Sequence, residues 1–339
     1  MTNLQESSGT DVIGFVLVPD FPMLAFSAAV EPLRIANWIT GRELYAWRVF
    51  SKDGAPVRAS NGCLVTPQGG FSDIERFSVM LVCAGVGGVY FRDKQVFALL
   101  RTLARNATCL GGIGTAAYIL ARAGLLAGHR CTIHWEDIET FRQEFPELEV
   151  TSSLYEMDRN RMTCSGGTAA LDMMLDLIAA RHGSMLAGEI ADQFMQRRPR
   201  EGADDQRMSL DRRTGIEDAR LLAAIATMEA RLEDPAPLAE ITSKAGVSLR
   251  HLQRLSRQHL GQSLTDFYRS LRLRHARTML LHGSDSILEV AIASGFVSSS
   301  HFSRRYRELF GITPKDERLK QRNARRMTAR PRAIHQSTA

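Results

Sequence analysis

The sequence has little with which to cross a membrane, form a disulfide frame or hold a metal. No apolar run reaches the ~18 residues that a membrane span requires, and the start, MTNLQESSGTD, is polar, without the apolar core of a secretory leader. A cytoplasmic protein is expected. The 339 residues include 5 cysteines, Cys63, Cys83, Cys109, Cys131 and Cys164, which are well separated, and no two form C-x-x-C. Their odd number and apolar flanks read as buried, reduced thiols rather than a disulfide framework or a zinc site. Neither metal nor cofactor is expected. GGIGTA (Gly111–Ala116) lacks both the G-x-G-x-x-G spacing and the Lys-Ser/Thr pair of a phosphate-binding loop.

What is present is unevenly distributed. From Pro237 onward 19 Lys and Arg face 7 Asp and Glu, whereas the preceding residues hold 24 and 30. A basic C-terminal third on a mildly acidic body predicts a polyanion partner for one domain only.

The first half alternates short apolar runs with helix-like segments. VIGFVLVP (Val12–Pro19), YAWRVFS, SVMLVCAG and ATCLGGI read as strands. FPMLAFSAAVEPLRIANWI (Phe21–Ile39), RDKQVFALLRTLARN, TAAYILARAGLLAG and TAALDMMLDLIAARHG read as helices. Such alternation predicts an α/β domain over residues 10–195, a parallel sheet with helices on both faces. Residues 196–215, including RRPREGADDQRMSLDRRTG, are polar and aperiodic and read as a linker. An all-α domain is expected over 216–320. The last stretch, 321–339, reads as a disordered basic tail.

PLAEITSKAGVSLRHLQRLSRQHLG (Pro237–Gly261) reads as a helix–turn–helix. Gly246 permits the turn, because glycine enters positive φ cheaply. Ser248 is a good N-cap for the second helix. With Leu252 and Leu255 turned inward, Arg250, Gln253, Arg254 and Arg257 share the outer face. Such a row of long donors reaches base edges and phosphates together. Fifty residues on, HFSRRYRELFG (His301–Gly311) aligns without gaps on HLQRLSRQHLG (His251–Gly261). Arg304 matches Arg254 and Arg307 matches Arg257. The second unit starts at SILEVAIASGF, turns at Gly295 and has Ser298 as its N-cap. SLTDFYRSLRLRHARTMLLHG (Ser263–Gly283) reads as one connecting helix of about 27 Å. That length suits two recognition helices about one DNA turn, ~34 Å, apart.

This region resembles the AraC/XylS family of transcription regulators over about Ile216–Arg318. The resemblance rests on the doubled motif, the connecting helix, A-x-x-x-G-F-x-S-x-S-H-F (Ala291–Phe302) and G-I-T-P (Gly311–Pro314). It implies base contacts from Arg250, Gln253 and Arg254 in the first unit, and from Ser299, Ser300, His301 and Arg304 in the second. Ser256 and Glu317 depart from the family pattern, each standing where an aromatic residue usually packs. The expectation is a looser first unit and a looser last helix.

Residues 10–190 resemble the class I glutamine amidotransferase-like superfamily, which includes intracellular proteases. The markers are Glu31 in V-E-P-L-R, LVCAGVGG (Leu81–Gly88), AGLLAG (Ala123–Gly128) and T-I-H-W (Thr132–Trp135). In its enzymes a cysteine nucleophile occupies the elbow position, which here is Gly114. Glycine carries no thiol, so no thiolate attack is possible there, and no catalytic residue is expected. Cys109 lies five residues earlier, inside the strand, where it should be inert.

An elbow without its thiol leaves a concave site for a small ligand. Gly85, Gly114 and Thr115 would hold a carboxylate through backbone N–H groups. Glu31 would balance a cation, and Trp135, beside His134, would stack on an ammonium. The domain fusion resembles a branch of AraC/XylS regulators that answer to amino acids and quaternary amines. The expectation is therefore a ligand-responsive transcription activator that binds double-stranded DNA as a homodimer and engages RNA polymerase, with no membrane partner. The rival readings are a DNA-tethered hydrolase or amidase, and an effector-independent regulator whose N-terminal domain only dimerises.

Overall fold

The computed structural model describes residues 9–75, 77–196, 199–282 and 285–320. The tail expected over 321–339 lies outside the described residues. The chain divides into two compact units, Met1–Arg207 and Met208–Ala339.

The strands of the first unit are β1 (Asp11–Leu17), β2 (Tyr45–Phe50), β3 (Val57–Arg58), β4 (Leu64–Val65), β5 (Val79–Ala84), β6 (Cys109–Gly114), β7 (Arg130–Cys131), β8 (Glu149–Val150), β9 (Tyr155–Asp158) and β10 (Arg161–Cys164). Six of them form one sheet in the order β2-β1-β5-β6-β10-β9. It is parallel except for β9, which runs antiparallel to β10. The expected α/β architecture is what the chain adopts. Alternate side chains of each strand feed two separate cores. Ile13, Phe15, Leu17, Val79, Leu81 and Cys83 join α1 (Met23–Thr40), α5 (Ala169–His182) and α6 (Ser184–Gln193) on one face. Val16, Met80, Val82, Ala84 and Leu110 join α2 (Lys94–Arg105), α3 (Ala116–Arg122) and α4 (Ile138–Glu144) on the other. A strand buried on both faces has no polar side, which is why these runs read as continuously apolar. β1 sends the chain to β2 on one side and, later, to β5 on the other. The ends of β1 and β5 therefore flank the crevice where ligands bind in such sheets.

The segment expected to be a linker is tied down for much of its length. Leu154 N–H donates to Gly202 O at 2.8 Å, and the Arg200 guanidinium pairs with the buried Asp172 at 2.6 Å. Residues Leu210–Thr214 form a short helix, α7, and Leu210 packs on the core of the second unit formed by Ile216, Leu221 and Leu252. Polar and backbone hydrogen bonds hold this stretch, so it shows no apolar period.

The second unit contains α8 (Ala219–Glu229), α9 (Leu238–Ala245), α10 (Leu249–Leu260), α11 (Leu264–His282), α12 (Ile287–Ala293) and α13 (Ser299–Phe310). Its two cores share α11. Leu264, Phe267 and Tyr268 pack with α8, α9 and α10, while Leu273, Ala276 and Leu280 pack with α12 and α13. Among the described residues no helix is long and apolar enough to cross a membrane.

Candidate functional site

Each helix–turn–helix is built from the residues expected to build it. α9 ends at Gly246, φ +66°, and the Ser248 hydroxyl then accepts from His251 N–H at 3.3 Å. In the second unit Gly295 turns at φ +71°, and the Ser298 hydroxyl accepts from His301 N–H at 3.3 Å. Both recognition helices close on left-handed glycines, Gly261 and Gly311. Leu252 and Leu255, and in the second copy Phe302 and Tyr306, anchor each helix in its core. That anchoring turns Arg250, Arg254 and Arg257 out on α10, with Gln253 half-buried beside them. On α13 it exposes Ser300, His301 and Arg304, with Ser299 half-buried. Arg304 lines a surface cleft of about 510 Å³ with Ser303, Arg307, Glu308 and Thr313. Arg307 was not among the expected base-contacting residues, although the internal repeat pairs it with Arg257. Partial desolvation, then the guanidinium groups of Arg305, Arg304, Arg269 and Arg272, hold the His301 imidazole below its usual value. Four guanidinium groups therefore act on the His301 ring at the start of α13.

The two departures from the family pattern are each buried and hydrogen-bonded in their cores. Ser256 is fully buried and donates to Gln262 O at 2.9 Å. Glu317 is buried and accepts from the Tyr306 hydroxyl and, at 2.8 Å, from Arg277 Nε. Both polar groups are satisfied inside the core, so neither is left as a destabilising orphan.

In the first unit the Gly-rich turn keeps an elbow's shape. A Cβ on Gly112 would stand 3.1 Å from Ala117 N, so this glycine lets α3 pack directly against β6. Gly114 ends the strand at φ +69°. A Cβ there would meet Ala84 O at 2.7 Å. Thr115 N–H donates to Ala84 O at 3.1 Å, and its hydroxyl donates to Gly85 O. Gly85, Gly114 and Thr115 thus meet where β5 and β6 end. Glu31 does not join them by any hydrogen bond among the described residues. It pairs with Arg34 at 2.6 Å on its own helix. Cys109 sits at the far end of β6, and burial pushes its thiol up to about 11. Burial likewise pushes Cys164 up to about 12. Cys63 corrects the expectation of buried thiols. It is exposed, because it follows Asn61-Gly62 in the turn between β3 and β4.

His134 and Trp135 form a second group, with ring centroids 5.5 Å apart. Burial lowers the His134 value, opposed by Glu136, whose carboxylate lies 3.7 Å away. The exposed Trp135 ring already carries a cation, the Arg207 guanidinium at 4.4 Å. Asp137 follows, a buried carboxyl pushed up to about 6 by desolvation and then by Glu136. Sequence reasoning missed both Arg207 and Asp137. Arg207 is remote in the chain, and Asp137 resembles an ordinary helix-capping acid.

Comparison with known proteins accounts for both units. A helix-turn-helix domain family matches residues 241–320, and the DJ-1/PfpI family matches residues 27–180. The HTH-type transcriptional regulator GbdR of Pseudomonas aeruginosa is 43% identical over 306 residues, covering 90% of this chain and 83% of that protein. The chain belongs to the AraC-type helix–turn–helix transcriptional regulators. A second such regulator, CdhR of Pseudomonas aeruginosa, is 42% identical over 304 residues, 90% of each chain. Isonitrile hydratase of Pseudomonas putida is 30% identical over 168 residues, 49% of this chain and 69% of the enzyme. In this AraC-type regulator, then, a DJ-1/PfpI fold precedes a DNA-binding domain.

Proposed function

We propose that this regulator is a ligand-responsive, sequence-specific transcription activator without enzymatic activity, acting in the cytoplasm. Its effector is an amino acid or quaternary amine, and its targets are genes for breaking that compound down. The observation that carries the reading is Gly114. The residue at the elbow has no side chain, sits at φ +69° and leaves 2.7 Å between a would-be Cβ and Ala84 O. A fold that its enzymes use for covalent chemistry is here left to bind. Arg250, Gln253, Arg254 and Arg257, with Ser299, Ser300, His301 and Arg304, read the DNA. Lysine and arginine contacts to phosphate make that binding fall steeply with salt.

In the proposed sensor Gly85, Gly114 and Thr115, at the ends of β5 and β6, face the effector's carboxylate, and His134 and Trp135 take its cation; Glu31, expected to join the cation site, is instead paired with Arg34. A two-fold dimer matches repeated half-sites, and RNA polymerase is the partner on promoter DNA. A thermal-shift screen against arginine, glycine betaine, dimethylglycine and carnitine tests the sensor. A concentration-dependent rise with one compound supports it, since a ligand that binds only the folded state raises apparent stability. A flat response across the panel in well-folded protein rejects this effector class.

A further inference from the structure

Trp135 is an exposed aromatic face with a cation already on it, and the position of that cation in the chain matters. Arg207, 4.4 Å from the ring centroid, is the last residue of the N-terminal unit, and Met208 begins the DNA-binding unit. The chain just before Arg207 is strapped to residues 132–133, ahead of Trp135, and to residues 153–155. Gln206 Nε2 donates to Thr132 Oγ1 at 3.1 Å, to Ile133 O at 2.9 Å and to Ser153 O at 2.8 Å. Gly202 O accepts from Leu154 N–H at 2.8 Å, and a Cβ on Gly202 would stand 2.8 Å from Tyr155 O. Two carboxylates, Glu136 and Asp137, follow Trp135 directly. An exposed aromatic face attracts an ammonium or guanidinium group.

We propose that Arg207 is an internal stand-in for the cationic group of the effector. An ammonium or guanidinium ligand takes the Trp135 face, displaces Arg207 and frees residues 200–207, the strap that leads into the DNA-binding unit. This rests on the reading of the N-terminal unit as the sensor of a cationic small molecule. The ligand and the docked strap compete for one surface, so the affinity difference between them sets how far the strap is released.

The test uses the full chain as wild type, Arg207→Gln and Trp135→Leu. Each is titrated by calorimetry with glycine betaine, L-arginine, L-carnitine and 3,3-dimethylbutyrate, the isostere of glycine betaine with an uncharged head. Hydrogen–deuterium exchange over residues 200–208 is followed with and without each compound. A cation that binds wild type should bind R207Q about tenfold tighter, because the internal competitor is gone, and W135L about tenfold weaker. The uncharged isostere should bind at least tenfold more weakly than its cation. Exchange over 200–208 should rise when the cation is added to wild type and be high from the start in R207Q. A purely structural role for Arg207 would not tighten ligand binding. The proposal is overturned if R207Q binds the cation no better than wild type, or if a bound cation leaves exchange over 200–208 unchanged. If no cation binds wild type or R207Q while both still bind DNA, the sensor reading fails together with the proposal. If a cation binds and only the strap is unmoved, the strap proposal alone fails.

Discussion

The Tyr306 hydroxyl donates to the Glu317 carboxylate inside the second helix–turn–helix, and the other oxygen of that carboxylate takes Arg277 Nε at 2.8 Å and Nη2 at 2.5 Å. The internal repeat places Ser256 opposite Tyr306 and Phe267 opposite Glu317. The first unit therefore has a small residue on the recognition helix and an aromatic on the following one, and the second unit reverses the order. At this paired position each unit supplies one aromatic side chain to its core, Phe267 from α11 in the first and Tyr306 from α13 in the second.

This reciprocity predicts non-additive substitutions. Glu317→Ala should destabilise the domain by about 2 kcal/mol, because it strands a buried hydroxyl and unpairs a half-exposed guanidinium. Glu317→Phe alone should be no better, since it adds a further ring to a core that already holds Phe296, Phe302 and Tyr306. Combining it with Tyr306→Ser, which copies the first unit, should recover part of the loss. Denaturant unfolding of all variants checks this, and strictly additive losses would count against it.

The recognition helices can be tested separately. Arg254→Ala and Arg304→Ala should each weaken binding to a selected DNA site by about 1–3 kcal/mol, whereas Arg307→Ala, if it meets phosphate, should lower affinity uniformly and reduce the salt slope. Titrations over a range of salt separate the two behaviours. Parent-like binding by both single variants on the selected site would show that other residues read the DNA.

Asp137 makes stability depend on pH. Its folded value, about 6, exceeds the ordinary 3.8, so the folded state holds this proton more tightly than the unfolded chain does. The contribution is fully present below the ordinary value and is lost as pH rises through 6. Asp137→Asn removes that loss, and since the Asp137 side chain makes no capping hydrogen bond, none is given up. The variant should be more stable than wild type by roughly 2–3 kcal/mol at pH 7.5, with the difference vanishing near pH 4. Paired melting curves at the two pH values decide the matter.

The elbow should resist reactivation. Gly114→Cys brings a Cβ to within 2.7 Å of Ala84 O at a backbone angle that disfavours side chains. It should cost about 1–3 kcal/mol in stability and confer no hydrolytic turnover on ester or amide substrates. Unfolding curves and an activity assay on the purified variant measure both.

Much of the protein can be read from its sequence because the signals are local. The alternation of apolar runs specifies a sheet covered on both faces, since a strand buried on both sides cannot carry a polar stripe. The doubled helix–turn–helix follows from residues within one turn of each other, including Gly246, Ser248, Ser298 and Gly311, whose roles are fixed by backbone geometry. The absent thiol is also a sequence fact. The tertiary structure decided what depends on distant partners. Glu317 belongs in a core because Tyr306 and Arg277 are there to satisfy it. The polar stretch around Gly202 is docked because Leu154 and Thr132 offer it hydrogen bonds. Trp135 is already covered by a guanidinium contributed from 72 positions along the chain. Periodicity and capping record contacts between near neighbours, whereas a buried charge or an occupied aromatic face is defined by what the fold brings to it.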